Sequence, residues 1–280
     1  MKIKKIAIFG SGLMGMGISN SIAINDFQVS IFSKSDNCKE RFFKYIDTEA
    51  DKKRMDLDSA EIIKNNVSVY SYDGAESLKE ADLIIESTYE DKKYKQEVVE
   101  FISKYSREEA IIASNTSTLS ISELAASYKN QKNFLGLHFF SPVPQMKLVE
   151  VVKGYLTDDK AINDAIKFIE EINKEAVIVK DTAGFVLNRI IAPYISEAVC
   201  IYEKKLTSAE NIDKMVSHCL GAKVGPLQLG DYIGIDVLKK CTDNLFDAYK
   251  DPHYCNTLIN NMYYANNLGK KTGKGFYEYG

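Results

Sequence analysis

The stretch KIAIFGSGLMGMG, Lys5–Gly17, constrains the fold more than any other part of the chain. A short apolar run, Ile6 to Phe9, ends at Gly10 and passes without a spacer into a pattern with glycines at 10, 12 and 15. A buried strand that turns through glycines directly into a helix has this form. The first glycine permits the tight turn, the second lets the main chain approach a pyrophosphate, and the third lets helix and strand pack closely. Met14, Ile18 and Ile22 follow at helical spacing. The start of that helix offers free N–H groups and a partial positive charge to an anion. Gly10, Gly12, Leu13, Met14 and Gly15 are therefore the expected contacts of a dinucleotide. The plainer alternative is a glycine turn with no ligand.

The pattern beyond the loop extends this reading. FQVSIFS and VSVYS read as strands, with a charged, helix-patterned segment from about Asn37 to Asn65 between them. ADLIIES and AIIAS are continuous apolar runs, as strands buried on both faces require. YKQEVVEFISKYS between them has helical spacing, and NFLGLHFF, KLVEVV and EAVIVKD are further strand candidates. Strands alternating with helices predict an α/β, Rossmann-like doubly wound sheet. The character changes near Asp181. GFVLNRIIAPYISEAVCIYEKK predicts a long helix with Pro193 inside it. Thr207 with Glu210 forms a capping-box pattern before the next helix. DYIGIDVLKKCTDNLFDAYK and CNTLINNMYYANNLG predict two more. The expected division is a dinucleotide-binding domain over 1–182 and an all-helical C-terminal domain over 183–280.

Bulk properties narrow the partners. A net charge of −3 gives no global attraction for nucleic acid. No apolar run approaches the roughly 20 residues a membrane helix needs. The five cysteines form no CxxC or CxxH pattern and read as free thiols in a reducing compartment. The expectation is a cytoplasmic protein with no metal site and no membrane or nucleic-acid partner.

In a dinucleotide fold the second strand commonly ends in an acid that binds the adenosine ribose. Here that position is Ser33, followed by Lys34 and Ser35. An acid would repel a 2′-phosphate, whereas a serine and a lysine can bind one. The residues favour NADP(H) over NAD(H), with a solvated Lys34 and NAD(H) as the alternative.

A second feature is LGLHFFSPVPQMKLVEVV, Leu135–Val152. It holds one of only three histidines, His138, at the end of an apolar run, and a lone acid, Glu150, inside another. A buried carboxylate without a partner is costly, so the two groups are expected to serve each other. Taken singly, plainer readings stay open: a satisfied core histidine, an acid at a solvated edge, Ser117 as a helix cap, Asn188 facing solvent, and Lys52, Lys53 and Arg54 as a solvated face.

The motifs taken together carry more. SNTSTLSI (Ser114–Ile121), HFFSP (His138–Pro142), KLVEVV (Lys147–Val152), GFVLNR (Gly184–Arg189), GPLQLGDYIGID (Gly225–Asp236) and KTGKGFY (Lys271–Tyr277) follow the glycine loop in order. With them the chain resembles the 3-hydroxyacyl-CoA dehydrogenase family, and within it the stand-alone bacterial 3-hydroxybutyryl-CoA dehydrogenases. The resemblance implies that His138 is the catalytic histidine and Glu150 the acid paired with it. It implies that Ser117 and Asn188 hydrogen-bond the substrate near its 3-oxygen, and that Glu90, Lys95 and Asn115 are cofactor-side contacts. Lys52, Lys53 and Arg54 fall where the family contacts CoA phosphates, and the helical domain usually carries a dimer interface. The sequence departs from the family at Ser33, at Ser141 where asparagine is usual after HFF, and in AKVGP (Ala222–Pro226), where the family usually has a His-Pro or Arg-Pro pair.

The chemistry suits these residues. Oxidising a secondary alcohol removes a hydride from carbon and a proton from oxygen. Histidine, with an ordinary pKa of about 6.5, can take that proton near neutral pH. A carboxylate on its other nitrogen fixes the tautomer and stabilises the imidazolium. Ser117 and Asn188 would serve the oxygen where charge develops. Since Asn188 belongs to the helical domain, the expected site is a cleft between domains. The expected reaction is hydride transfer between a short-chain 3-hydroxyacyl-CoA and its 3-oxoacyl-CoA with NAD(P)(H). A related hydroxy-acid dehydrogenase that does not use CoA, or a non-catalytic dinucleotide-binding protein, is the alternative.

Overall fold

The structure, a computed structural model, describes residues 2–280. It divides into two compact units, one running to Asp181 and the other spanning Thr182–Gly280.

The first unit is an α/β sheet domain. In chain order it contains β1 (Lys5–Phe9), α1 (Leu13–Ala23), β2 (Gln28–Phe32), α2 (Cys38–Asp51), α3 (Leu57–Asn66) and β3 (Val67–Tyr70). β4 (Leu83–Glu86), α4 (Lys92–Tyr105), β5 (Ile111–Ser114), the short α5 (Ile121–Ala125) and β6 (Phe134–Phe139) follow. β7 (Leu148–Lys153), α6 (Asp159–Glu171) and β8 (Glu175–Lys180) complete it. The eight strands form one sheet in the order β3-β2-β1-β4-β5-β6-β7-β8. Neighbours pair in parallel except β6 and β7, which are antiparallel. The strand order reverses between β1 and β4, and such a switch point leaves a crevice at the carboxyl ends of the strands.

The apolar runs explain the sheet. Every residue of β4, β5 and β6 is buried. Ile8, Phe9, Ile31, Phe32, Ile84 and Ile85 are inaccessible to solvent; each such side chain contributes about 1.5–3 kcal/mol of burial. β8 departs from this pattern, with Val177 and Ile178 exposed on the outermost strand. The helix-patterned segment before β3 is two helices rather than one. α2 ends near Lys52, and Asp56 caps α3 by accepting the Ser59 N–H at 2.7 Å.

The second unit is helical: α7 (Leu187–Glu203), α8 (Ala209–Leu220), α9 (Pro226–Ile233), α10 (Ile235–Tyr249) and α11 (Thr257–Tyr264). Pro193 sits inside α7 as the sequence predicts. Two local expectations change. The cap of α8 is Ser208, not Thr207: Ser208 keeps extended backbone angles and its Oγ accepts the Asn211 N–H, while Thr207 takes only the Asn211 side chain. The stretch from Asp231 to Lys250 is not one helix, because Gly234 takes a φ of 98°, ending α9 and opening α10.

The motifs of the second unit are built around two buried acids. Asp213 accepts the N–H groups of Leu227 and Gln228 at 2.9 Å each, so it caps α9 from a distance. Asp231 accepts the N–H groups of Phe276 and Tyr277 and the Tyr279 hydroxyl, holding the C-terminal turn. A side chain at Gly275 would place its Cβ 1.9 Å from the Asp231 carboxylate. GPLQLGD and KTGKGFY are thus two halves of one fastening.

Candidate active site

The glycine loop leaves β1 at the switch point. Gly10 has φ 113°, and a Cβ there would lie 2.3 Å from the Ser87 carbonyl oxygen at the end of β4. A Cβ at Gly15 would lie 2.0 Å from the Gly10 carbonyl oxygen. Gly12 differs: a Cβ there meets nothing within 4 Å. The fold itself requires the first and third glycines, while the space beside the second is open to a ligand. Gly12 is also the residue before α1, and no side chain caps that helix. Leu13 is 71% exposed in its first turn and Met14 is half-buried. Unclaimed N–H groups beside an open glycine suit a pyrophosphate, so the residues present fit a dinucleotide.

His138 and Glu150 stand directly opposite each other in the β6–β7 register. Opposed residues of an antiparallel pair share one face, with Cβ atoms about 4.5–5.5 Å apart. The His138 Nδ1 lies 2.7 Å from Glu150 Oε2. Both are buried, at 6% and 2% exposure. Phe140 packs edge-on to the imidazole with ring centroids 4.5 Å apart. With Nδ1 facing the carboxylate, proton exchange with an alcohol would run through Nε2.

The loop that follows is pinned from an unexpected quarter. The buried Lys174 donates from Nζ to the carbonyl oxygens of Val143 and Met146, each at 2.7 Å. Burial holds its ammonium below the ordinary lysine pKa. Ser141 is exposed, so the loop is held by Lys174 rather than from position 141.

Glu90 gathers the segment after β5. Its Oε1 faces the Thr116 hydroxyl at 2.6 Å, the Ser117 N–H at 2.9 Å, the Ser117 hydroxyl at 3.1 Å and the Thr118 N–H at 3.1 Å. Burial alone would raise its pKa, but the Lys95 charge and these hydrogen bonds outweigh it and hold the carboxyl below the ordinary range. Ser117 is therefore bonded to Glu90 in this structure, and substrate would have to compete for its hydroxyl.

Lys95 sits differently from a direct ligand. It is inaccessible to solvent, and its Nζ lies 2.9 Å from Glu86 Oε2, 3.4 Å from the Thr88 carbonyl and 3.6 Å from Glu90. Glu86, equally buried, also accepts from the Thr88 N–H and the Ser114 hydroxyl. The pair works from beneath, fixing the loop that carries Glu90. Glu86 and Lys174 carried no signal in the sequence beyond being charges beside apolar runs.

Asn115 links neighbouring strands. Its Oδ1 accepts the Phe139 N–H at 2.9 Å and its Nδ2 donates to Ser87 Oγ at 3.1 Å. One amide N–H remains for a ligand. Asn188, the second residue of α7, is half-buried in the helical unit. Lys52 and Lys53 are exposed; Arg54 is tied to Glu49 at 2.9 Å. Lys53 and Arg54 border an open groove of about 670 Å³ that Asp56 and Asp58 also line, so the groove is not uniformly basic.

Residues 5–182 match the 3-hydroxyacyl-CoA dehydrogenase NAD binding domain, and residues 184–279 the C-terminal domain of the same family. The chain belongs to the 3-hydroxyacyl-CoA dehydrogenase family. It is an oxidoreductase of that class, built on the family's NAD binding domain. A 3-hydroxybutyryl-CoA dehydrogenase of Clostridioides difficile is 39% identical over 98% of this chain and 99% of its own length. The human mitochondrial hydroxyacyl-coenzyme A dehydrogenase is 36% identical over 99% of this chain and 91% of its own. The crystal structure of (S)-3-hydroxybutyryl-CoA dehydrogenase from Ralstonia eutropha superposes with a TM-score of 0.92 at 32% identity, covering 100% of both chains. Among the described residues no helix is long and apolar enough to cross a membrane.

Proposed function

We propose that this dehydrogenase interconverts 3-hydroxybutyryl-CoA and acetoacetyl-CoA, with His138 as general acid and base. The observation that carries the reading is the 2.7 Å contact between buried His138 and Glu150 on opposed strands. Bound cofactor supplies the hydride acceptor or donor. In the oxidative direction His138 takes the hydroxyl proton at Nε2 while Glu150, on Nδ1, stabilises the imidazolium. In the reductive direction the same nitrogen returns the proton to the forming alcohol. Proton transfer of this kind contributes about 10²–10⁴-fold. Ser117 and Asn188 serve as donors to the substrate 3-oxygen, and Asn115 and Glu90 border the cofactor. Lys52 and Lys53 serve the CoA phosphates more readily than Arg54, which is already paired. The short acyl group follows the Clostridioides difficile relative, whose name carries it.

NADP(H) is the favoured nucleotide. No carboxylate stands at the end of β2, where Ser33, Lys34 and Ser35 lie instead. We also propose a cytoplasmic homodimer through the helical unit, where Leu206, Leu220 and Tyr264 are each at least 70% exposed. Light scattering that returned a monomer mass would count against the dimer.

The experiment is a spectrophotometric assay of acetoacetyl-CoA with NADPH and NADH separately. The expected result is turnover with both and a higher kcat/KM for NADPH. Turnover with free acetoacetate equal to that with acetoacetyl-CoA would overturn the CoA reading, since remote binding energy should aid the chemical step. A clear NADH preference would overturn the nucleotide reading.

A further inference from the structure

The end of β2 is a more elaborate place than its serine and lysine suggest. Ser33 is buried, and its Oγ lies 2.8 Å from the Ser11 Oγ of the glycine loop. The same oxygen accepts the Ser35 N–H at 3.0 Å. Two hydroxyls that share one hydrogen bond have one proton left to donate outward. An aspartate at position 33 could keep the Ser35 bond but would offer only negative charge.

Lys34 is turned elsewhere. Its ammonium rests over the rings of Tyr72 and Tyr94, at 5.4 and 5.1 Å from their centroids. Cation–π contacts of this kind stabilise by about 0.5–1 kcal/mol at exposed sites.

The second cation comes from α2. Arg41 reaches back across the loop, and its Nη2 donates to the Ser11 carbonyl at 3.2 Å. That is the one hydrogen bond of its guanidinium among the described residues, and no carboxylate lies within ion-pair distance of it there. A guanidinium carries five donors in a rigid fork matched to phosphate oxygens. Here the fork is anchored at one corner to the loop that receives the pyrophosphate, beside a serine pair with a proton to spare. The nearest acid in the β2–α2 connection, Asp36, is exposed.

We propose that Arg41 is the principal ligand of the nucleotide 2′-phosphate and the residue that sets NADP(H) over NAD(H), with Ser11 and Ser33 as hydroxyl partners and Lys34 in a lesser role. This rests on the nucleotide preference proposed above and names the group responsible for it. A lysine at position 41 would keep the charge but lose the fork.

The test uses the full-length enzyme and two adenine nucleotides without nicotinamide, 2′,5′-ADP and 5′-ADP. Their Kd values are measured by calorimetry in wild type, Arg41→Ala, Arg41→Lys and Lys34→Ala. The expected result is tighter binding of 2′,5′-ADP in wild type. Arg41→Ala should weaken 2′,5′-ADP by roughly tenfold or more relative to 5′-ADP, the scale of a charged hydrogen bond. Arg41→Lys should fall between, and Lys34→Ala should change the ratio less than Arg41→Ala. In parallel, the NADPH-to-NADH ratio of kcat/KM should fall in Arg41→Ala by a similar factor.

Equal weakening of both nucleotides would show that Arg41 only supports the glycine loop, and would overturn the proposal while leaving the NADPH preference intact. A larger loss in Lys34→Ala would overturn it in favour of that lysine. Equal wild-type affinity for the two nucleotides would overturn the NADP(H) preference itself, and this proposal with it.

Discussion

Two sets of buried or half-buried acids separate the halves of this molecule. In the first unit Glu86 faces Lys95, Glu90 lies at 3.6 Å from the same lysine, and Glu150 faces His138. Each has a partner that carries positive charge or can acquire it. In the second unit Asp213 and Asp231 are buried too, but among the described residues their hydrogen-bond partners are main-chain N–H groups and tyrosine hydroxyls. The consequence shows in their acidity. Burial, with a contribution from the Asp213 charge, pushes Asp231 up despite its donors, whereas Glu90 is held low despite burial. Neutral donors fasten a chain segment. A partner that can give up and take back a proton allows chemistry, and only one pair in this set, His138 with Glu150, joins an acid to an imidazole.

The largest effect should separate the two sets by activity. His138→Gln should lose about 10²–10⁴-fold in kcat while keeping nucleotide binding. Asp231→Asn, which also removes a buried charge, should leave the kcat of the folded fraction near that of wild type. Steady-state assays corrected for folded fraction by circular dichroism read both, and comparable losses would erase the distinction.

A smaller difference should appear in stability. Glu86→Gln leaves Lys95 buried without its main counter-charge, and breaking such a pair costs about 3–5 kcal/mol. Asp231→Asn leaves neutral donors short of an acceptor, at about 1–3 kcal/mol. A double change, Glu86→Gln with Lys95→Met, should cost less than the sum of the two single changes. Urea unfolding measures all four, and an Asp231→Asn penalty larger than that of Glu86→Gln would contradict the comparison.

The smallest effect concerns pH, where the two sets should act with opposite sign. The depressed Glu90 stabilises the fold above the ordinary glutamate pKa of about 4.3, and that stability is lost as pH falls through its lower folded value. The raised Asp231 contributes most below the ordinary aspartate pKa of about 3.9, and its contribution is lost as pH rises through its higher folded value. Relative to wild type, Glu90→Gln should flatten the acid loss of Tm. Asp231→Asn should remove a penalty that grows from acid toward neutral pH. Parallel Tm curves for the two variants between pH 3 and 7 would refute the assignment of signs.

Much of this organisation could be read along the chain. The glycine loop after Phe9, the buried runs that became β4, β5 and β6, and the helical character after Asp181 all depend on local sterics and periodicity. His138 and Glu150 stand out in the sequence because a histidine and an acid inside apolar runs are costly to bury unless paired. Only the family resemblance marks Lys95 in the sequence, and nothing there shows its burial against Glu86. Their separation of nine positions says nothing of which side of the helix faces the sheet edge. The α8 cap slipped by one residue, since Thr207 and Ser208 are both good caps and only the backbone angles choose between them. Nothing in the sequence ties Arg41 or Lys174 to its partner, because Ser11 and Val143 lie about 30 residues away.

By itself the sequence determined that the chain begins its sheet with a phosphate-ready turn, that it changes to helices near Asp181, and that His138 and Glu150 each need a partner. Those are properties of neighbouring residues, whose sterics and desolvation act over a few positions. The tertiary structure alone decided that strand register sets His138 across from Glu150, that Glu86 and Lys95 neutralise each other beneath the Glu90 loop, and that Arg41 rests on Ser11. Such pairings follow from how a twisted sheet and its helices pack, which brings together groups that chain order keeps apart.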